Sequence, residues 1–149
     1  MNTTIGLVWK NEILITTIIA WAVSQGIKII LGIFREKKFD FRWILSPGGV
    51  PSTHASGVAA LATSSGLILG FDSGYFAIAS ILALVVMFDA QGVRHAAGKQ
   101  AQILNKIMED VHFKRKIHEE RLRELLGHTP FEVFLGAFIG ILVAIIIVL

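Results

Sequence analysis

Two short segments of this chain place a histidine beside hydroxyl groups at the start of an apolar run. The first, residues 48–54, reads Gly-Gly-Val-Pro-Ser-Thr-His and contributes four candidate site residues, Gly49, Ser52, Thr53 and His54. Pro51 is predicted to open a helix, which puts the three polar residues after it on the first turn, where free N–H groups attract anions. Because glycine lets the backbone approach a ligand closely, the segment predicts a phosphate cradle. The alternative is an ordinary helix start with a polar first turn.

The second segment, residues 127–132, reads Gly-His-Thr-Pro-Phe-Glu and precedes the last apolar run. His128 and Glu132 are four residues apart, so the carboxylate can reach the imidazole on one helix face. A histidine oriented by a carboxylate is an activated nucleophile, and a second histidine can serve as acid and base. Thr129 and Glu132 also fit a capping box around Pro130 at the first helical position. The alternative is therefore that Glu132 only caps the helix.

Three cations are candidate ligands for a phosphoryl group, which positive charge stabilises during transfer. Lys28 lies within the first apolar run, where a lysine costs about 2.5–3.5 kcal/mol and usually faces protein or a water-filled site. Its alternative role is to snorkel toward the membrane surface. Arg94 and Lys99 follow the third apolar run, and their alternative partners are lipid headgroups.

No metal or other cofactor is expected, because these cations would neutralise the phosphate. Asp89, Glu132 and the two site histidines could instead hold a divalent ion. That arrangement is the weaker alternative, since a cation-rich site opposes metal binding. The histidines His95 and His112 are interpreted as surface residues.

The composition indicates an integral membrane protein. Of the 149 residues, 54% are hydrophobic and 17% are charged, and the apolar residues form long runs. The length is typical of a single domain, and without cysteine there is no disulfide or thiolate metal site. We predict an all-α integral membrane bundle of about four transmembrane helices at residues 11–34, 51–69, 74–91 and 130–149, with a cytoplasmic amphipathic helical segment at about 95–126.

The distribution of basic residues predicts the orientation of this bundle. Residues 35–46 and 94–123 hold 12 of the 14 lysine and arginine residues, and four spans put both segments on the same side. By the positive-inside rule that side is the cytoplasm. The two histidine segments, Lys28 and Arg94 then meet at the cytoplasmic end of the bundle. We therefore expect an integral membrane protein whose active site faces the cytoplasm.

The motifs together resemble a known family. Pro51-Ser52-Thr53-His54 resembles the Pro-Ser-Gly-His motif of the type 2 phosphatidic acid phosphatase and vanadium haloperoxidase superfamily. Two further motifs are Asp-Ala-Gln-Gly-Val-Arg at residues 89–94 and Leu-Gly-His-Thr-Pro-Phe-Glu at residues 126–132. With these, the chain is similar over nearly its whole length to the small divergent membrane branch of that superfamily.

The resemblance implies metal-free hydrolysis of a phosphomonoester or pyrophosphate through a phosphohistidine, with His54 acting on the leaving group. In the superfamily's last motif, a Ser-Arg pair is followed after five residues by His and, three residues further on, by Asp. Arg94 matches the arginine, but the histidine position holds Gln100, whereas His128 and Glu132 match the second half. The resemblance thus implies a motif split by an inserted surface helix, with Lys28 in place of the lysine of the missing first motif.

The sequence therefore predicts a lipid-phosphate phosphatase acting on phosphatidylglycerophosphate or phosphatidic acid, with His128 as nucleophile, His54 as acid and base, and Glu132 orienting His128. The predicted phosphate ligands are Lys28, Gly49, Ser52, Thr53, Arg94 and Lys99. Expected partners are the phospholipid substrate and the membrane, with no nucleic acid, and Gly and Ala faces favour a homodimer. Two alternatives stay open: a non-catalytic protein that binds anionic headgroups or acts as an assembly factor, and a small transporter of an anionic lipid.

Overall fold

The computed structural model describes residues 4–37, 49–112 and 128–149, and these residues form an all-α bundle without strands. The helices are α1 Thr4–Val8, α2 Glu12–Glu36, α3 Thr53–Leu69, α4 Gly74–Gln91, α5 Val93–His112 and α6 Pro130–Val148. The fold class predicted from the sequence is therefore confirmed. The remaining residues, among them Gly48 and residues 38–46 and 113–123 of the two basic connections, lie outside the described part of the chain.

Polar caps set the ends of the long helices. Asn11, Ser73 and Thr129 each accept a backbone N–H from the first turn of α2, α4 and α6, respectively. Gly70 ends α3 with a φ of +95°, which favours glycine, and the Ser73 hydroxyl donates to the Gly70 carbonyl oxygen at 2.7 Å. This short connection reverses the chain, so α4 runs back along α3.

The start of α3 differs from the prediction. Ser52 is the N-cap and Thr53 is the first helical residue, so the prediction that Pro51 opens the helix is wrong by two residues. Pro51 instead follows a cis peptide bond from Val50 and lies outside the helix. The physical reason is capping: the Ser52 hydroxyl accepts the N–H of Ala55 at 3.4 Å, whereas a helix opened by Pro51 would have to be capped by valine.

Among the helices of the described residues, α2, α4 and α6 are long and apolar enough to cross a membrane. They have 25, 18 and 19 residues, against about 20 needed for a bilayer core of about 30 Å. The outer surfaces of these helices carry large exposed apolar side chains, as expected of a protein surrounded by lipid. Helix α3 has 17 residues, and its role as a fourth span stays a prediction.

Helix α3 lies at the centre of the bundle and packs against α2, α4 and α6. Its buried residues are almost all small: Thr53, Ala55, Ser56, Gly57, Ala59, Ala60, Ser64, Ser65 and Gly66. Two buried clusters join α3 to its neighbours, Ala55–Ala90–Val133 near its start and Ala20–Ala60–Ala144 near its middle. Small side chains let helix axes approach closely, which is the main source of helix association in lipid.

Helices α3 and α6 run parallel with their backbones in contact. A β-carbon at Gly136 would overlap the carbonyl oxygen of Ser52, and one at Gly140 would overlap that of Ser56. The two glycines are four residues apart, and so are the two serines. Successive turns of α6 therefore lie against successive turns of α3. The Ser56 hydroxyl also donates to the carbonyl oxygen of Ala20 at 3.1 Å, which joins α2 to this pair.

These contacts use the Gly and Ala faces that favoured a homodimer in the sequence analysis. Ala20, Ala60, Ala144, Gly136 and Gly140 are all buried within a single chain. They are therefore not available to a second copy. A homodimer stays a prediction, but it would need a different surface.

The surface helix begins earlier than the predicted residue 95. Helix α5 starts at Val93, directly after Gly92 at the end of α4, and continues to His112. Residues 113–126 of the predicted segment lie outside the described residues. The cluster of Ala55, Ala90 and Val133 puts the end of α4 beside the starts of α3 and α6, so α5 begins at the same end of the bundle.

We expect Gly140→Ala to destabilise the bundle. The new β-carbon would meet the Ser56 backbone, which cannot move away unless α3 and α6 separate, so the free energy of unfolding should fall by about 1–3 kcal/mol. The measurement is denaturant or thermal unfolding of the purified protein in detergent. Gly26→Ala is the matched control, because nothing lies within 4 Å of a β-carbon at that helical position. Equal losses of stability in the two variants would contradict the close contact.

Candidate active site

The start of α6 holds a histidine–carboxylate pair. His128 Nδ1 lies 2.9 Å from Glu132 Oε2, and the His128 and Glu132 side chains are 6% and 18% exposed. The same Oε2 accepts the N–H of Thr129 at 3.1 Å, while the Thr129 hydroxyl accepts the N–H of Glu132 at 3.4 Å. The predicted histidine–carboxylate contact and the predicted capping box are both confirmed. The Glu132 carboxylate makes both contacts at once, so it can orient His128 and cap α6 together.

Lys28 of α2 lies beside this pair. Its half-buried ammonium interacts electrostatically with Glu132. Its stem lies against Gly49, where a β-carbon would be only 3.1 Å from Lys28 Cε. Gly49 also has a φ of +96°, which L side chains rarely adopt, so the backbone favours glycine here, and a β-carbon would in addition crowd the lysine stem.

The start of α3 is joined to the start of α6 through the backbone. The Ser52 N–H donates to the carbonyl oxygen of Glu132 at 3.1 Å. The Ser52 hydroxyl is fully buried and caps α3. The structure therefore brings together five of the predicted site residues from three distant parts of the sequence: Lys28, Gly49, Ser52, His128 and Glu132.

Two helix N-termini lie side by side in this group. Because α3 and α6 are parallel and in contact from their first turns, the partial positive charges of their N-termini add. Lys28 contributes a full positive charge nearby, and the Glu132 carboxylate offsets part of the total. An end of this kind attracts anions, phosphate among them.

The other predicted site residues lie outside this group or outside the described side chains. His54 is exposed and, two residues after the N-cap, lies about 200° around α3 from the face that contacts α6. Thr53 is buried on the first turn of α3, and Lys99 is exposed on α5. Arg94 lies on the first turn of α5, and its side chain is outside the described part of the structure. The roles of these four residues stay predictions.

Within residues 4–37, 49–112 and 128–149, no group of three or more His, Asp or Glu side chains is placed to hold a metal ion. The reactive groups that these residues do assemble are the imidazole of His128, the carboxylate of Glu132 and the ammonium of Lys28.

Two glycines that support the site were not predicted from the sequence. Gly136 lies against Ser52 and Gly140 lies against Ser56, and these contacts hold the start of α6 beside the start of α3. A signal for them was present, because small residues four apart on two apolar helices are typical of close helix packing. The spacing of these residues does not predict which two helices will pack against each other through them.

Comparison with known proteins identifies the family. Residues 9–143 match the family model described as "Divergent PAP2 family". The chain belongs to this family. A relative from Bacillus subtilis (strain 168), described as "Uncharacterized membrane protein YuiD", is 38% identical over 150 residues, which cover 92% of this chain and 94% of the relative. No solved structure gives a significant match.

Membership of the divergent PAP2 family confirms the resemblance seen in the sequence motifs. The three apolar helices and the membrane-protein relative together show that the chain is a membrane protein. In this member of the family, α5 covers most of the sequence between Arg94 and His128. The relative's description gives no activity, so the function has to be argued from the site.

Thr129→Ala should loosen the start of α6. The variant loses the hydroxyl that accepts the Glu132 N–H, and loss of such a cap costs about 1 kcal/mol of stability. Thr129→Ser keeps an equivalent hydroxyl and is the matched control. Unfolding in detergent should separate the two variants, whereas identical unfolding curves would show that the capping box contributes nothing to stability.

Proposed function

We propose that this divergent PAP2 family protein is a lipid-phosphate phosphatase that hydrolyses phosphomonoesters without a metal ion. The observation that carries the proposal is the contact between the buried His128 and the partly buried Glu132, 2.9 Å apart, at an electropositive end of a membrane bundle. A histidine held by a carboxylate is an activated nucleophile. Lys28 and the two helix N-termini would stabilise the phosphoryl group during transfer.

In the first step, His128 Nε2 attacks the phosphorus of the monoester. Glu132 accepts the Nδ1–H, which leaves the lone pair on Nε2 and stabilises the positive charge that develops on the ring. As the N–P bond forms, the P–O bond to the lipid breaks. The departing lipid oxygen takes a proton from His54, giving a lipid alcohol and a phosphohistidine.

In the second step, water attacks the phosphohistidine. His54, now neutral, takes a proton from this water as the new P–O bond forms and the N–P bond breaks. Inorganic phosphate leaves, and both histidines return to their starting states. The chemistry therefore balances with water as the only co-substrate.

The proposed reaction is an in-line displacement. In such a reaction the attacking and departing atoms lie on opposite sides of the phosphorus. His128 lies at the start of α6, which contacts the start of α3. His54 lies on the exposed face of α3, turned away from α6. For His54 to act on the departing oxygen, the phosphate would have to lie over the N-terminus of α3, between these two faces.

The phosphate ligands in this proposal are of two kinds. Lys28 supplies charge, and Gly49 leaves room for its stem. Thr53 would contribute a first-turn N–H that has no partner within its own helix. Ser52 would position the first turn of α3 and not contact the phosphate itself, because its hydroxyl caps α3 and its N–H donates to the Glu132 carbonyl oxygen. Arg94 and Lys99 of α5 complete the predicted set.

The orientation of the site determines the class of lipid. The positive-inside rule puts the starts of α3 and α6 at the cytoplasmic surface. Lipid phosphomonoesters of that leaflet, such as phosphatidylglycerophosphate or phosphatidic acid, would reach it directly. A lipid pyrophosphate of the outer leaflet would not.

A second candidate function is binding of an anionic headgroup without turnover, as in an assembly factor. One observation favours it: two of the predicted ligands already have partners in the described structure. The Ser52 hydroxyl caps α3, and Lys28 interacts with Glu132. A headgroup-binding protein would need neither a free nucleophile nor a leaving-group acid.

Phosphate release by the purified protein in detergent tests the proposal. Phosphatidylglycerophosphate and phosphatidic acid are the substrates, with and without a chelator. We expect chelator-resistant release that is lost in His128→Ala and falls about 10²–10⁴-fold in His54→Ala, since a positioned acid and base contributes a factor of that size. Glu132→Gln should also slow release, because the amide no longer stabilises the charged ring.

His112→Ala is the matched control, since it removes a histidine that has no role in the proposed site. Release that survives His128→Ala would move the nucleophile elsewhere. Absence of release from both lipids, together with headgroup binding that persists in His128→Ala, would favour the second candidate function.

The orientation can be tested separately with single cysteines, because the chain has none of its own. We expect Arg115→Cys to react with a membrane-impermeant maleimide only in inverted vesicles. Asp72→Cys, in the exposed turn between α3 and α4, should react only in right-side-out vesicles. The reverse pattern would put the site on the outer face and would favour a substrate of the outer leaflet.

A further inference from the structure

Helix α5 presents three different faces. Gly98 and Asn105, seven residues apart and therefore on one face, are buried. Lys99 and Lys106, also seven apart, lie on a second face and are exposed. The third face, the apolar face of α5, consists of three exposed side chains: Ile103, Leu104 and Ile107.

The apolar face is turned away from the protein. Its three side chains are 60%, 49% and 52% exposed, in the order Ile103, Leu104 and Ile107. By helical geometry it lies roughly opposite the buried face, with the lysine face between the two on one side. Large apolar side chains this exposed need a cover that the bundle does not provide.

The position of α5 indicates what this cover is. The helix starts directly after α4, which is long and apolar enough to cross a membrane. The exposed surface of α4 is itself apolar up to Phe88, one turn before the helix ends. The first turn of α5 therefore lies at the membrane boundary, and its apolar face continues an apolar surface already assigned to lipid.

The charge of α5 complements one type of membrane surface. The cations Arg94, Lys99 and Lys106 lie along α5 up to Met108, and its two acidic residues, Glu109 and Asp110, lie in the last turn, farthest from the site. A helix with cations beside an apolar face is typical of segments that lie in the interface of a bilayer containing anionic lipids.

We propose that α5 is an interfacial helix that binds the anionic leaflet next to the site, with Ile103, Leu104 and Ile107 inserted among the lipids and Lys106 at the phosphate headgroups. The contact would anchor the end of α4 and hold the first turn of α5 at headgroup depth. This role does not depend on the proposed hydrolysis, because it requires only the membrane that the chain already occupies.

Spin labels on single cysteines test the proposal in the full-length protein, which has no native cysteine. Ile103→Cys reports on the apolar face. Gln102→Cys is the matched control, because it is exposed, lies next to Ile103 and faces about 100° away. Both labelled proteins are reconstituted in bilayers that contain phosphatidylglycerol, and collisions with oxygen and with a water-soluble nickel chelate are compared.

We expect the label at 103 to collide mainly with oxygen, which concentrates in lipid, and the label at 102 to collide mainly with the nickel chelate. Preference for the chelate at both positions would show that the apolar face lies in water. Protection from both reagents at 103 would show that protein covers this face, a second copy included. Either of these results would overturn the proposal.

The charge of the leaflet gives a second, independent readout. Lys106→Gln in the Ile103→Cys protein should shift the label toward the nickel chelate in bilayers with phosphatidylglycerol and leave it unchanged in purely zwitterionic bilayers. Gln102→Ala in the same background, which removes no charge, should have no such effect. The same accessibility in both bilayers for all variants would contradict a role of anionic headgroups.

Discussion

The close approach of two helix backbones is the constraint on which the rest of this structure depends. Gly136 and Gly140 of α6 lie against the carbonyl groups of Ser52 and Ser56 of α3, with no room for a β-carbon. In lipid, where the hydrophobic effect does not drive helices together, such packing is a main source of association. One hydrogen bond adds to this packing, because the buried Ser56 hydroxyl donates to the carbonyl oxygen of Ala20 in α2.

Parallel packing of α3 and α6 has a consequence for the site. Two parallel helices cannot be joined by a short turn, so the chain must return between them, and α4 is the described helix that makes this return. Both N-termini then come to the same end of the bundle, where their partial positive charges add. Helix α5 begins at that end as well, which is why the site and the surface helix share one end of the bundle.

Glu132 is the residue through which the site is connected. Its carboxylate caps α6 through Thr129 and holds His128, and its backbone carbonyl accepts the Ser52 N–H. It also interacts with the charge of Lys28, which would be costly to bury alone within an apolar helix. One carboxylate thus serves the stability of the helix start and the orientation of the candidate nucleophile.

The sequence by itself determined the contacts between residues that are close together along one helix. The capping box of Thr129 and Glu132, the contact of Glu132 with His128 and the apolar helices follow from spacings of three and four residues and from composition. The start of α3 was the local exception, because the capping strength of Ser52 outweighed the preference of proline for the first turn.

Only the tertiary structure decided which helices meet. That Lys28 lies beside Glu132, that Ser52 pairs with the backbone of α6 and that the glycines of α6 face α3 all depend on packing between segments far apart in the chain. His54 shows the same limit: it is two residues from Ser52, yet it lies on the exposed side of α3. The spacing of two residues within a helix gives the angle between their side chains, but the packing of neighbouring helices determines which side chains point into the protein.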